Sequence, residues 1–301
     1  MSEKLFKSTA IVSSMTFLSR ILGFIRDIVI ARLFGAGLGT DVFFVAFKIP
    51  NFLRRLFAEG AFSQAFIPVL AEYKEKGDGD LKALIASTSG TLAGILFIIT
   101  AIGVIAAPVI IMLFAPGFVD QPEKLTLAGD LLRITFPYLF FISLTALSGS
   151  ILNSFGKFAV PAFTPVFLNI ALIASAIWLS PYFEQPVTAL AWGVFIGGIV
   201  QLLFQIPFLM GINQLPKPKW NLKNSGVKKI FKLMIPAMFG VSVSQINLLL
   251  DTLLASFLVT GSISWLYYSD RLVEFPLGVF GIALATVILP SLSKKHAAAS
   301  T

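Results

Sequence analysis

Residues 40–70 read TDVFFVAFKIPNFLRRLFAEGAFSQAFIPVL, an apolar stretch interrupted by Asp41, Lys48, Arg54, Arg55 and Glu59. About 20 helical residues cross the roughly 30 Å of bilayer hydrocarbon, so the stretch is long enough to span a membrane. A charge at mid-membrane costs roughly 2.5–3.5 kcal/mol even on the lenient insertion scale, so these side chains cannot all face lipid. At 100° per residue, Asp41, Lys48, Arg55 and Glu59 stay within about 20° of one line, with Asn51 about 60° to one side and Arg54 further round. The pattern predicts a membrane-spanning helix with one continuous polar stripe turned into a hydrated interior.

The rest of the chain agrees with that reading. It has 301 residues, 56% hydrophobic and 13% charged, with a mean hydropathy of +0.88. A soluble domain carries about 25% charged residues, so this chain lacks the polar surface for water. Thirty Phe, five Tyr and four Trp suit lipid contact and interfacial belts, and exclude a disordered or collagen-like chain. With no Cys there is no disulfide, thiolate metal site or cysteine nucleophile, and the sole His is His296 in a polar tail. Most hydrolase and zinc chemistry is thereby excluded.

Eight apolar runs are long enough to span, near 8–33, 40–70, 83–114, 126–153, 162–180, 187–210, 230–259 and 263–292. The fold class expected is an all-α integral membrane protein of eight transmembrane helices. Connections on one side hold Lys4, Lys7, Lys74, Lys76, Lys82, Lys157, Lys217, Lys219, Lys223, Lys228, Lys229, Lys294 and Lys295, whereas the other side holds only Lys124. The positive-inside rule then puts both termini in the cytoplasm. The net charge of +8 therefore reads as topology rather than nucleic-acid binding. The first span runs through Arg20 without a small-residue cleavage site, unlike a cleaved signal peptide.

Nine cations fall inside spans: Arg20, Arg26, Arg32, Lys48, Arg54, Arg55, Arg133, Lys232 and Arg271. Arg32, Arg133 and Lys232 lie near span ends, where interfacial anchoring explains them. Arg20, Arg54 and Arg55 lie near span centres. In the first span Arg20 and Asp27 share a face with Gly23, which leaves room beside the charge. Across the first two spans six cations meet three acids, Asp27, Asp41 and Glu59. Local pairs such as Arg55–Glu59 would cancel part of this and leave three cations over. Guanidinium forks match phosphate oxygens in two-point contacts, so the surplus predicts a phosphate-bearing ligand. Asp270, Arg271 and Glu274, followed by Pro276, form either a local ion pair or a cavity-lining group, and Gln245, Asn247 and Asp251 form a weaker polar patch.

A shift of 222 residues aligns Gly39 with Gly261 and Pro68-Val69-Leu70 with Pro290-Ser291-Leu292. The shift equals six spans, which makes the repeat parallel. Residues 1–210 then form a complete six-helix lobe, 211–229 a basic cytoplasmic linker, and 230–301 the first two helices of a second lobe that the chain leaves unfinished. The linker lysines are expected to set topology and touch anionic lipid heads.

The strings SRILGFIRD (19–27), AFKIPNFLRR (46–55), FAEGAFSQAF (57–66) and YSDRLVEFP (268–276) closely resemble the MurJ (MviN) lipid II flippase family, over essentially the whole chain. The resemblance implies the multidrug/oligosaccharidyl-lipid/polysaccharide exporter fold, with two six-helix lobes and two further helices that would form a groove for the lipid tail. It implies transfer of undecaprenyl-diphosphate-linked disaccharide-pentapeptide (lipid II) across the bacterial cytoplasmic, or inner, membrane. By motif position Arg20, Arg26 and Arg54 resemble the family's cavity arginines and Arg271 their second-lobe counterpart. Ser19, Asp27, Asn51 and Glu59 take the place of polar neighbours, with Arg55 and Glu274 beside them as substrate-binding candidates. Some members bind sodium with an acid of the seventh helix, for which Asp251 is the candidate; no other cofactor is expected.

The mechanism expected is alternating access, with the diphosphate held by arginines between the lobes while the tail stays in lipid. No Walker-type phosphate loop occurs in the sequence, leaving membrane potential or an ion gradient as the energy source. The alternatives are a flippase for another polyprenyl-diphosphate oligosaccharide or a drug exporter, the latter wanting an acidic cavity. A phosphotransferase would want clustered carboxylates for Mg²⁺, which spans one to six do not show. A scaffold or channel subunit is the structural alternative, which single-channel currents would reveal.

Overall fold

The computed structural model describes residues 3–276, and within them every side chain except those of 3–9, 57–59, 243, 244 and 248. The tail cations, the end of the eighth span, the repeat match at 290–292 and the Glu59 side chain thus lie outside the described residues. Among the described residues the protein is all-helical. Its first elements are α1 (Glu3–Phe34), α2 (Leu38–Leu53) and α3 (Ser63–Lys76), the last two joined without a break by a π-helical segment, Arg54–Phe62. There follow α4 (Asp78–Ile105), α5 (Ala107–Phe114), α6 (Pro122–Thr135), α7 (Tyr138–Ser154), α8 (Ala159–Phe163), α9 (Pro165–Ala174), α10 (Thr188–Gly211) and α11 (Ser225–Ala255). A last helix, α12, covers 262–276.

Local chemistry sets the boundaries. α1 ends at Gly35, whose φ of 65° suits a residue without a Cβ, and its N–H closes on the Ala31 carbonyl at 3.0 Å. α2 opens where the Gly37 N–H donates to Thr40 Oγ1 at 3.0 Å. Asn224 caps α11, its Oδ1 accepting from the backbone N–H groups of Gly226 and Val227. Pro108 and Pro165 sit in the first turns of α5 and α9, where a missing N–H costs nothing.

Among the described residues four helical stretches are long and apolar enough to cross a membrane: Asp78–Ile105, Pro122–Ser154, Ala159–Tyr182 and Thr188–Gly211. The bent pair Ser225–Ser242 and Gln245–Ala255 makes a fifth if it is one span. The described part of α1 carries Arg20, Arg26, Asp27 and Arg32, and the α2–α3 helix carries Asp41, Lys48, Arg54 and Arg55. Phe43, Phe44, Ile49 and Phe66 of the α2–α3 helix are almost completely buried, so this most charged element is also the core of the bundle.

The stripe predicted along residues 41–59 holds in its middle, where Lys48, Asn51, Arg54 and Arg55 line one cavity, and departs at Asp41; from Arg54 onward the helix is π-helical, with a smaller angular step than 100° per residue. Asp41, 2% exposed, turns instead to the start of α12. Its Oδ2 accepts from the Gly261 N–H at 2.6 Å, and its Oδ1 accepts from the Ser264 N–H at 2.9 Å and the Ser264 hydroxyl at 2.6 Å. A carboxylate at a helix N-terminus is stabilised by the exposed N–H groups and the helix dipole, so Asp41 needs no cation. One acid of the predicted six-to-three balance is thereby used for packing.

The connection between α10 and α11 lies along α4. The Lys219 N–H donates to the Ala86 carbonyl at 2.9 Å and the Asn221 N–H to Thr91 Oγ1 at 3.2 Å. The Trp220 ring covers Gly94 so closely that a Cβ there would lie 2.0 Å from it.

Candidate functional site

A cavity of about 250 Å³ opens between α2, the π segment, α7, α9, α11 and α12. Arg26, Lys48, Asn51, Arg54, Arg55, Asp270, Arg271 and Glu274 line it. A cleft of about 260 Å³ continues from it, sharing Arg26, Arg54, Arg55, Asn169, Arg271 and Glu274 and adding Ser19, Arg20, Gly23 and Asp27. Nine of the ten substrate-binding candidates therefore face one continuous space, and the tenth, Glu59, lies outside the described side chains. Among the described residues six cations (Arg20, Arg26, Lys48, Arg54, Arg55, Arg271) meet three acids there (Asp27, Asp270, Glu274), so the ratio read from the sequence recurs with different members. Arg32 and Asp41 are not among the lining residues, and α12 supplies Arg271, Asp270 and Glu274.

Arg26 is fixed in place. Its Nε and Nη2 donate to Asp27 Oδ1 at 2.9 and 2.7 Å, its Nη1 to Asn169 Oδ1 at 3.0 Å, and its Nη2 to the Tyr267 hydroxyl at 3.2 Å. Tyr267 in turn donates to Asp27 Oδ1 at 3.1 Å, and its ring stacks on Phe44 with centroids 3.8 Å apart. Asn169 Nδ2 donates to the Ser19 carbonyl at 3.1 Å, tying α9 to α1 beside Gly23. Asn169 and Tyr267 hold Arg26 in place and are not among the residues that the sequence singles out. A single Asn inside the apolar run 162–180 was the available signal, because a buried amide needs partners.

Arg271 bridges both acids, with Nε 3.6 Å from Asp27 Oδ2 and Nη1 2.6 Å from Glu274 Oε2, and it lies over the Tyr267 ring at 5.2 Å. Arg54 Nε donates to Asn51 Oδ1 at 3.2 Å, while Lys48 Nζ donates to Thr252 Oγ1 at 2.9 Å. Arg20 is exposed into the cleft and has no hydrogen bond or ion pair among the described residues. Arg133 pairs with Asp130 at 2.7 Å on the surface, and Lys124, read as a loop cation, is 2% exposed beneath Phe118. Asp251 is exposed on α11, and no three His, Asp or Glu side chains gather as metal ligands among the described residues.

An all-helical bundle with multiple membrane-crossing helices and a cation-rich cavity is the build of a multi-pass transporter. The lipid II flippase MurJ family matches residues 30–301, and the chain belongs to that family. A probable lipid II flippase MurJ of Vibrio cholerae is 61% identical over 98% of this chain and 58% of its own length. A lipid II flippase MurJ of Burkholderia cenocepacia is 46% identical over 97% of this chain and 58% of its own length. A solved lipid II flippase MurJ in an inward closed conformation superposes with a TM-score of 0.79 at 34% identity, covering 95% of this chain and 59% of that one. An outward-facing multidrug-resistance transporter of the MATE family shares the fold at a TM-score of 0.60 and 15% identity, covering 94% of this chain and 64% of that one. The chain thus spans under three fifths of the length of the flippases it matches.

Proposed function

We propose that this chain forms the first lobe, and the opening of the second, of a flippase that carries lipid II from the inner to the outer leaflet of the bacterial cytoplasmic membrane. Residues 1–210 are the lobe, 211–229 the cytoplasmic linker, and 230–301 the first two helices of the partner lobe, with both termini in the cytoplasm. The helices group into eight passes on this reading, counting α1, α2–α3, α4–α5, α6–α7, α8–α9, α10, α11 and α12. The family membership and the high identity to proteins named as flippases support transport rather than catalysis.

The observation that carries the reading is the gathering, among the described residues, of six cations against three acids around one partly open space. There a dianionic diphosphate gains from guanidinium forks what it loses in hydration. The space of about 250 Å³ holds a diphosphate but not a disaccharide-pentapeptide, so the headgroup enters only when the lobes part. Rocking of the lobes then exposes the same arginines to the other side while the polyprenyl tail stays in lipid. No bond is made or broken.

Substituting Ala at Arg20 or Arg54 in the full-length protein abolishes rescue of a flippase-depleted strain on this reading, with membrane levels of the protein unchanged; Arg26→Ala also abolishes it, with a lower level because it leaves Asp27 buried without its main partner. Normal growth with all three replaced would overturn it. Arg54→Lys separates a planar fork from a simple positive potential: loss of rescue supports the fork, and full rescue assigns Arg54 a charge role only.

A further inference from the structure

A second and larger cavity, about 890 Å³, lies away from the arginines, where the connection after α10 crosses the ends of α4 and α7. We infer that it holds an anionic glycerophospholipid of the lysine-rich leaflet, with the phosphate at Lys82 and Lys217 and the acyl chains against the apolar side chains.

Small-ligand pockets run to roughly 300–1,000 Å³, and this one falls inside that range. Its lining combines two chemistries: the cations Lys82 and Lys217, and the apolar side chains of Ile85, Phe155, Ile212 and Leu215. An amphiphile with a charged head and hydrocarbon tails matches that combination, whereas a free ion or a sugar would use half of it. Asp78, the acid of the wall, is already occupied: Lys82 Nζ lies 2.6 Å from its Oδ2, and Gln214 Nε2 donates to its Oδ1 at 2.9 Å. Lys82 keeps two further N–H donors, and Lys217 has no partner among the described residues. The phosphate therefore meets donors without displacing an ion pair.

The position suits a lipid head. The apolar stretches Asp78–Ile105 and Thr188–Gly211 begin and end beside the cavity, which sets it at the depth where hydrocarbon gives way to headgroups. The connection carries Lys217, Lys219 and Lys223, with Lys228 in the first turn of α11, together with exposed Leu215, Trp220 and Leu222. Lysine beside exposed Trp and Leu is the composition of a segment resting on an anionic interface. The linker backbone is hydrogen-bonded to α4 at Ala86 and Thr91, so the roof of the cavity is built rather than trailing.

The test uses the purified full-length protein, delipidated and re-supplied with phosphatidylglycerol or phosphatidylethanolamine, with retained lipid counted by native mass spectrometry. Phosphatidylglycerol is expected to be retained at least fivefold more than phosphatidylethanolamine. Lys217→Glu reverses an unpartnered charge and Ala83→Phe fills the cavity; each is expected to cut retention at least fivefold, while Arg133→Ala, on the surface of α6, leaves it unchanged. Equal retention of the two lipids, or wild-type retention in both cavity variants, overturns the proposal. Release of the lipid by 10 mM inorganic phosphate also overturns it, because the occupant is then the free anion.

Discussion

Arg26 and Arg20 stand on the same helix and line the same cleft, yet their surroundings differ in kind. Arg26 is 8% exposed and makes four hydrogen bonds, to Asp27, Asn169 and Tyr267. Arg20 is exposed and has no partner among the described residues. A guanidinium carries five N–H donors, so Arg26 has spent most of its capacity on the protein and Arg20 keeps its own for a ligand. On the proposed function the walls of the cavity divide the work: one arginine, held rigid, sets the potential and shape of the space, and the other binds.

That contrast is broken most severely at Asp27. Asp27→Asn leaves the Arg26 charge buried with its main partner gone, and breaking a buried pair from one side costs about 3–5 kcal/mol. A large fall in melting temperature of the full-length protein in detergent is the expected outcome, whereas Arg20→Gln should stay within about 0.5 kcal/mol of wild type, as surface substitutions do. Equal losses from the two variants would mean that Arg20 is as structural as Arg26.

A milder version acts through Asn169, which holds Arg26 Nη1 and the Ser19 carbonyl at once. Asn169→Ala removes an acceptor from a buried donor, a change worth about 1–3 kcal/mol. The effect should be smaller than that of Asp27→Asn, and it should not add to it fully, because both act on one guanidinium. A double-mutant cycle on melting temperature measures the shortfall; strict additivity would separate Asn169 from the Arg26 network.

Arg20, Gly23 and Asp27 were legible in the sequence because seven residues bring a regular helix back to the same face and α1 is regular from Glu3 to Phe34. Arg54 and Arg55 were legible as interior charges, since no lipid-facing position tolerates them. The fate of Asp41 was not. Its alignment with Lys48 is real helical arithmetic, but the loop before α12 brings unpaired N–H groups to it from 220 residues away, and no local pattern records that. The π segment from Arg54 to Phe62 escaped for a related reason. Gly60 lets α11 approach so closely that a Cβ would lie 2.8 Å from Val241, and such tertiary crowding is invisible in residue spacing. Asn169 shows the reverse case: a lone amide in an apolar run is a visible clue, and its partner on α1 is what the sequence withholds.

The smallest effect lies at the surface end of the same scale, where Glu72 of α3 reaches Lys229 of α11 and Lys76 one turn along its own helix. This carboxylate lies outside the spans predicted from the sequence, and hydrogen bonds from Lys229 and then Lys76 hold it down to about 2, against an ordinary value of 4.5. A carboxyl depressed by folding stabilises the folded state above its unfolded value and loses that contribution as the pH falls through its folded one. The contribution of Glu72 is therefore complete above about pH 4.5 and fades between there and pH 2. Glu72→Gln should lower the melting temperature slightly at pH 6, by less than either cavity variant, and the gap to wild type should close as the pH approaches 2. Raising salt to 1 M at pH 6 should narrow the gap as well, since screening then acts over about 3 Å and both partners are exposed. A gap indifferent to both pH and salt would assign the α3–α11 contact to the neighbouring Tyr73–Ser225 hydrogen bond of 2.9 Å instead, and would leave the cavity as the one place where charge is costly to disturb.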